Sequence, residues 1–369
     1  MARAGFLHLA DLHLSRPFGF LPPQLAEERR RDQRRALTRI ADLAIERSVD
    51  IVLIAGDLFD TSDPDPTDVE AAIADFSRLA DAGKRIFAIP GNHDIASRNS
   101  FWESLANTGV HVFSDTEWSS VALDDLGIAV HGIAFNRSKS DRRAFDGFKM
   151  IDGLSNIVLV HASYEAFEGQ LEKYHPFSAE EVARTKASYI ALGHYHRFNQ
   201  IAADGVTACY TGTPEGISFD APETDDRFVI LGEIDDGEVK IEPIKTNLRI
   251  MRRAEIDCTS FDSQTTLFDA VRRFCEPNAL VGLKFTGTPI SELMPILEDL
   301  PARFRESCLY MSVDTTGITM GGNFPLDDLT IRGRFCRHML NQIEDAADPE
   351  RRRLFRRALD IGLAAFDEV

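Results

Sequence analysis

The sequence predicts an α/β fold, on three observations. Short aliphatic runs of strand length recur through the first half, amphipathic stretches of helical spacing separate them, and metal-capable polar residues gather where the runs end. In open α/β sheets ligands collect at the carboxyl ends of strands, so those ends are where chemistry is expected.

Residues 5–10 form the first run and lead into Asp11 and His13. Residues 27–47 then have helical spacing, with Leu37, Ile40, Leu43 and Ala44 on one side and arginines on the other. The run 51–55 ends at Gly56-Asp57, and the run 85–89 ends at Pro90-Gly91-Asn92-His93-Asp94. Two more follow the same rule: 157–160 ends at His161, and 189–192 at Gly193-His194-Tyr195-His196. From 206 to 245 strands with glycine-rich turns take over, and Asp235-Asp236-Gly237 between two apolar runs predicts a hairpin.

Beyond residue 247 the pattern changes to strand, helix, strand, helix, strand, the signature of a smaller α+β unit over 248–322. A helical tail over 323–369 is punctuated by Pro325 and by Asp348-Pro349, an N-cap followed by proline at the first helical position. A chain of 369 residues exceeds one ordinary core, which agrees with a main domain over 1–247 and two appended pieces.

Composition is that of a folded protein, 44% hydrophobic and 27% charged. The net charge of −18 excludes a surface coated in positive charge, so any nucleic-acid contact must come from local basic patches. Cys209, Cys258, Cys275, Cys308 and Cys336 are dispersed, with no Cys-x-x-Cys pair, and are expected to be plain thiols of a reducing compartment. Neither a signal-peptide pattern nor an apolar run of membrane length is present, so the expected location is the cytoplasm, with no membrane contact.

Carboxylate, amide and imidazole at five strand ends make a mixed oxygen and nitrogen donor set, suited to manganese, iron, magnesium or zinc. A lone Asp-x-His pair is usually a capping aspartate beside a buried histidine; five such clusters in order are not explained that way. Asp-x-His, Gly-Asp, Gly-Asn-His-Asp, His and Gly-His-x-His resemble, in content and order, the calcineurin-like metallophosphoesterases. The resemblance implies a β-sandwich flanked by helices, carrying two divalent metal ions, manganese by family expectation. It also implies that Asp11, His13 and His196 hold one ion, that Asn92, His161 and His194 hold the other, and that Asp57 bridges them. His93 would contact the scissile phosphate and assist the leaving oxygen, and Asp94 would orient its ring.

Asp57 is followed by Leu58-Phe59-Asp60 and not by Arg-Gly, and His93 by aspartate, which sets the chain apart from the protein phosphatases. Residues 10–14, 56–60, 189–196 and 210–214 resemble the SbcD and YhaO-type DNA repair exonucleases, and residues 279–287 resemble a strand of their capping domain. One departure is Asp60, where archaeal and eukaryotic relatives carry histidine; it leaves exonuclease polarity and endonuclease activity open. The resemblance implies DNA as substrate, an SMC-like ATPase of the SbcC or YhaN type as partner, and a homodimer as an option. A basic loop with Arg137, Lys139, Arg142 and Arg143 is a candidate phosphate contact. Two alternatives stay open: a hydrolase of small phosphodiesters such as cyclic nucleotides, and a non-catalytic DNA-end binding subunit.

Overall fold

The computed structural model describes residues 3–96, 101–134, 142–167, 174–220, 223–318 and 330–367. Two six-stranded sheets form its main body. The first holds β1 (Arg3–Leu9), β2 (Ile51–Ala55), β3 (Arg85–Ile89) and β4 (Val110–Val112) with a late hairpin. The second holds β5 (Ser119–Leu123), β6 (Ile128–Gly132), β7 (Ser155–His161), β8 (Tyr189–Gly193), β9 (Asn199–Ala203) and β10 (Val206–Tyr210). The hairpin, β11 (Phe228–Asp235) and β12 (Glu238–Lys245), completes the first sheet in the order β12-β11-β1-β2-β3-β4; the second runs β5-β6-β7-β8-β10-β9. Asp236 and Gly237, both at positive φ, make the hairpin's two-residue turn, as the sequence predicts.

The aliphatic runs are continuous because both faces of their strands are buried. Phe6, Ile51, Leu53, Phe87 and Ile89 meet Val130, Ile157, Leu159, Tyr189 and Ala191 between the sheets. Their alternate neighbours Leu7, Leu9, Val52 and Ile54 pack with Leu37, Ile40 and Phe76 from α1 (Pro23–Glu46) and α2 (Pro66–Asp81). On the far side Val158, Val160, Ile190 and Leu192 are covered with Phe177 and Val182, the latter on α4 (Ala179–Thr185); α3 (Phe101–Ala106) closes the first outer layer. The result is a sandwich of two sheets between helices.

The smaller unit comprises β13 (Ile250–Asp257), α5 (Gln264–Arg272), β14 (Ala279–Gly287), α6 (Met294–Arg303) and β15 (Tyr310–Ile318). Its strands pair parallel in the order β13-β14-β15 around a separate core that includes Val281, Leu283, Phe285, Leu297 and Leu300. Strand–helix alternation alone leaves that pairing open; the parallel register makes α5 and α6 its crossovers.

In the tail, α7 (Ile331–Asp345) and α8 (Pro349–Asp367) pack as a hairpin through Cys336, Met339, Leu359, Phe335 and Phe355. Ile331, Leu354 and Ile361 stay 77%, 64% and 63% exposed. Pro325 lies outside the described residues. All five cysteines are free. Among the described residues no helix is long and apolar enough to cross a membrane.

A buried charge network joins the main body to the smaller unit. Glu215, fully buried after β10, pairs with Arg29 of α1 at 2.9 Å and accepts the backbone N–H groups of Leu248 (2.6 Å) and Arg249 (3.1 Å), just before β13. Arg29 also pairs with Asp32 at 3.1 Å, and Arg249 closes the circuit onto Asp32 at 3.0 Å. Removing one partner of a buried pair strands the other charge. Glu215→Ala is therefore expected to lower stability by about 3 kcal/mol, measured by urea unfolding followed through tryptophan fluorescence; a loss within experimental error of zero counts against the network.

Candidate metal centre

The first sheet delivers Asp11 and His13 just past β1, Asp57 just past β2, and Asn92 and His93 just past β3. The second delivers His161 at the end of β7 and His194 and His196 just past β8. Because β1, β2 and β3 run parallel, as do β7 and β8, all these residues emerge at one end of the sandwich. The backbone there is strained: Asp11, His13, Asp57 and His194 have φ of 55°, 50°, 50° and 99°, a region that non-glycine residues seldom adopt and that concentrates at functional sites. Two glycines permit the close approach of the loops. A Cβ on Gly91 would lie 2.2 Å from Asp57 Oδ1, and one on Gly193 would lie 1.9 Å from the Ala55 carbonyl oxygen.

Side-chain donors converge in two overlapping groups. In the first, Asp11, His13 and His196 bring ligand atoms within 4.8 Å of one another, with His13 Nε2 and His196 Nε2 3.2 Å apart. In the second, Asn92 Oδ1 lies 2.9 Å from His161 Nε2 and 3.0 Å from His194 Nδ1. Asp57 Oδ2 stands between them, 3.3 Å from His161 Nε2 and 3.8 Å from His13 Nε2. Asp11 accepts the His194 backbone N–H on both oxygens, at 3.0 and 3.1 Å.

Three of the inward-facing imidazoles are held by their other nitrogen. His161 Nδ1 donates to the Ala55 carbonyl at 2.9 Å, His13 Nδ1 to Asp60 at 3.0 Å, and His196 Nδ1 to Glu223. Such outer partners fix the tautomer and aim Nε2 at a cation. Neither acid is predicted to hold a ligand ring: Asp60 stands out in the sequence only as a departure from the relatives, and Glu223 sits in a glycine- and proline-rich stretch where no spacing signal marks it.

The electrostatics fit a cation pair. Asp11 and Asp57 are completely buried, and the strongest influences that lower their pKa come from histidines. Burial raises the Asp11 carboxyl. Burial also acts to raise Asp57, yet His161, bonded to it, together with His13 and His93 holds it well below the usual carboxylate range. His161 and His196 are disfavoured as cations by burial but carried up to about 9 by Asp57 and Glu223 respectively. Burial and the neighbouring His161 push His194 down to about 3. Buried carboxylates beside imidazole nitrogens that face each other form a donor set that divalent cations would satisfy.

His93 differs from the residues around it: its side chain is 41% exposed and lines a cleft of about 270 Å³ together with His13, His194 and His196. Its backbone N–H donates to Asp57 Oδ1 at 2.9 Å, and its Nδ1 faces the Asp60 carbonyl at 3.3 Å. The expectation that Asp94 orients this ring needs correction. Both Asp94 oxygens are turned onto backbone, accepting from Gly91 at 2.6 Å and Phe59 at 3.1 Å, so Asp94 braces the loop that carries Asn92 and His93. Burial and the nearby Asp57 raise its carboxyl to about 7.

Arg142 and Arg143 of the basic loop are placed differently from what their charge suggests. Arg137 and Lys139 lie outside the described residues. Arg142 contacts the Thr116 carbonyl and Glu117, while Arg143 is clamped between Glu165 and Glu181, which already match its charge; neither lines the cleft. Of the other histidines, His8 bonds Tyr189 at 2.9 Å and His131 bonds Ser120 and Asn156 at 2.7 Å, as ordinary core groups do.

Residues 5–198 match the model of the calcineurin-like phosphoesterase family, more than half of the chain. The protein belongs to this family. Its phosphoesterase sequence is 27% identical over 293 residues to the uncharacterised metallophosphoesterase YhaO of Bacillus subtilis, covering 77% of this chain and 69% of that one. It is 28% identical over 284 residues to the DNA double-strand break repair protein Mre11 of Aeropyrum pernix, covering 72% and 66%. With the SbcD component of the SbcCD nuclease of Bacillus subtilis it shares 28% over 249 residues, covering 58% and 62%.

A histidine of pKa about 9 carries a proton on the nitrogen that a cation would take, so proton and cation compete. Both shifts are upward from 6.5, so the protons' contribution to folding is complete below pH 6.5 and fades as pH rises through 9. Metal affinity runs the other way. Manganese binding is expected to strengthen between pH 6.5 and 9, by up to about tenfold per pH unit for each proton displaced, with proton release counted by calorimetry in buffers of different ionisation enthalpy. An affinity that is flat over this window counts against the expectation that His161 and His196 are ligands.

Proposed function

We propose that this phosphoesterase is a two-metal DNA nuclease, in which Asp11, His13 and His196 hold one divalent ion, Asn92, His161 and His194 hold the other, and Asp57 bridges them. The convergence of both donor groups on Asp57, beneath an exposed His93, is the observation that carries this reading. Two divalent cations held by these residues, manganese by preference, would supply an activated water and would neutralise charge developing at phosphorus. The chain's own residues do the rest. Asp60, Glu223 and the Ala55 carbonyl keep the ligand rings in register. His93 reaches into the cleft, where its imidazole can give a proton to a leaving oxygen.

DNA is favoured over a small diester by the relatives named for double-strand break repair and for the SbcCD nuclease, and by the appended smaller unit, which a small substrate does not need. The decisive assay is manganese-dependent cleavage of linear duplex DNA beside hydrolysis of a cyclic nucleotide. His93→Ala is expected to keep its metal by elemental analysis while DNA turnover falls by roughly 10²-fold or more. Wild-type turnover in that variant removes His93 from the chemistry.

The tail is proposed to dock an SMC-like ATPase partner in the cytoplasm. Supporting this, Ile331, Leu354 and Ile361 present apolar surface outside the α7–α8 core. Deleting residues 325–369 is expected to abolish co-purification with that ATPase and to leave manganese-dependent cleavage measurable; a truncated chain that still binds the ATPase fully sinks the docking role.

A further inference from the structure

Arg16 has no part in the metal centre, yet it is the single lysine or arginine among the described residues that line the cleft. The other lining groups are imidazoles, Tyr195, Ile217, Ser218 and the acids Asp220 and Glu223, and Glu223 is spent on His196. Among the described residues that line the cleft, an entering polyanion therefore meets Asp220 as a like charge and Arg16, paired on one side with Asp60, as the arginine counter-charge. Arg16 NH1 donates to Asp60 Oδ1 at 2.8 Å, and the same oxygen accepts from His13 Nδ1 at 3.0 Å. A guanidinium has five N–H donors; this contact uses one, and the side chain is still 30% exposed.

Its loop is fixed in place. Phe18 and Leu21 are buried with Ile217 and Met251, the Arg29 guanidinium lies 5.6 Å from the Phe18 ring centre, and Asp60 N–H donates to the Leu14 carbonyl at 2.8 Å. Little freedom is then left to lose when an anion binds, which is the advantage of a pre-organised donor. The position also selects which phosphate is touched. Along the chain of contacts, the His13 ring and an Asp60 oxygen separate Arg16 from the metal-facing Nε2 of His13, so its guanidinium is set back from the reacting centre.

We propose that Arg16 binds the phosphate next to the scissile one, making the site selective for a polynucleotide strand over a diester with a single phosphate. The proposal rests on the nuclease reading above. It assigns Asp60 a second task, positioning Arg16 as well as His13.

The test compares wild type, Arg16→Gln and Arg16→Lys on linear duplex DNA and on bis(p-nitrophenyl) phosphate, with metal counted per chain. Arg16→Gln is expected to lose at least about tenfold more kcat/KM on DNA than on the small diester, the scale of one lost charge-assisted hydrogen bond. Its salt dependence on DNA should weaken by about one unit of log–log slope, with metal content kept, and Arg16→Lys should retain most of that slope. Equal losses on both substrates, loss of metal, or an unchanged salt slope in Arg16→Gln overturns the proposal. A wild-type chain that hydrolyses the small diester and leaves DNA intact refutes instead the nuclease reading itself.

Discussion

Two carboxylates, Asp11 and Asp57, are wholly removed from water at one end of the sandwich, and histidines surround them. Buried like charges are among the most costly arrangements in a protein, and they persist where cations or strong donors compensate. The rest of the site follows from that constraint. Inward-facing nitrogens of His13, His161, His194 and His196 belong to the same polar pocket, and the outer nitrogens of His13, His161 and His196 are tied off so that those rings cannot turn away.

Holding such a cluster requires strain that the sheets absorb. Four of the converging residues adopt left-handed backbone, and Gly91 and Gly193 allow the loops to touch where any side chain would collide. Fully buried strands on either side make those loops direct continuations of the buried sheets. Asp94 takes part in this bracing: by accepting from Gly91 and Phe59 it ties the loop after β3 to the loop after β2, which fixes Asn92 relative to Asp57. A position that reads as a partner for His93 thus acts through the backbone.

The smaller unit is coupled to this centre through α1 and through the loops at the cleft. Arg29 and Glu215 fasten the start of β13 to the main body, while Phe20, Phe219 and Tyr310 pack along the seam, with ring centres 5.4 Å and 6.5 Å apart. The loop bearing Arg16 therefore lies between the metal centre and the smaller unit.

Strand ends, and the residues they carry, are legible in the amino-acid order. A run of apolar residues followed by a glycine or a metal-capable turn is local information, so β2, β3 and β8 and the polar residues their loops carry to one end of the sandwich can be read without coordinates. Which groups face which is settled only by the folded chain. Glu223 behind His196, Asp60 shared by His13 and Arg16, the Arg29–Glu215 pair, the inward loop-bracing turn of Asp94 and the occupied state of Arg143 all join residues 22 or more positions apart, save the Asp94–Gly91 bond. Periodicity and motif spacing report the chain's own neighbours. Pairing across sheets depends on register and on which loops pack together, and no local pattern encodes it.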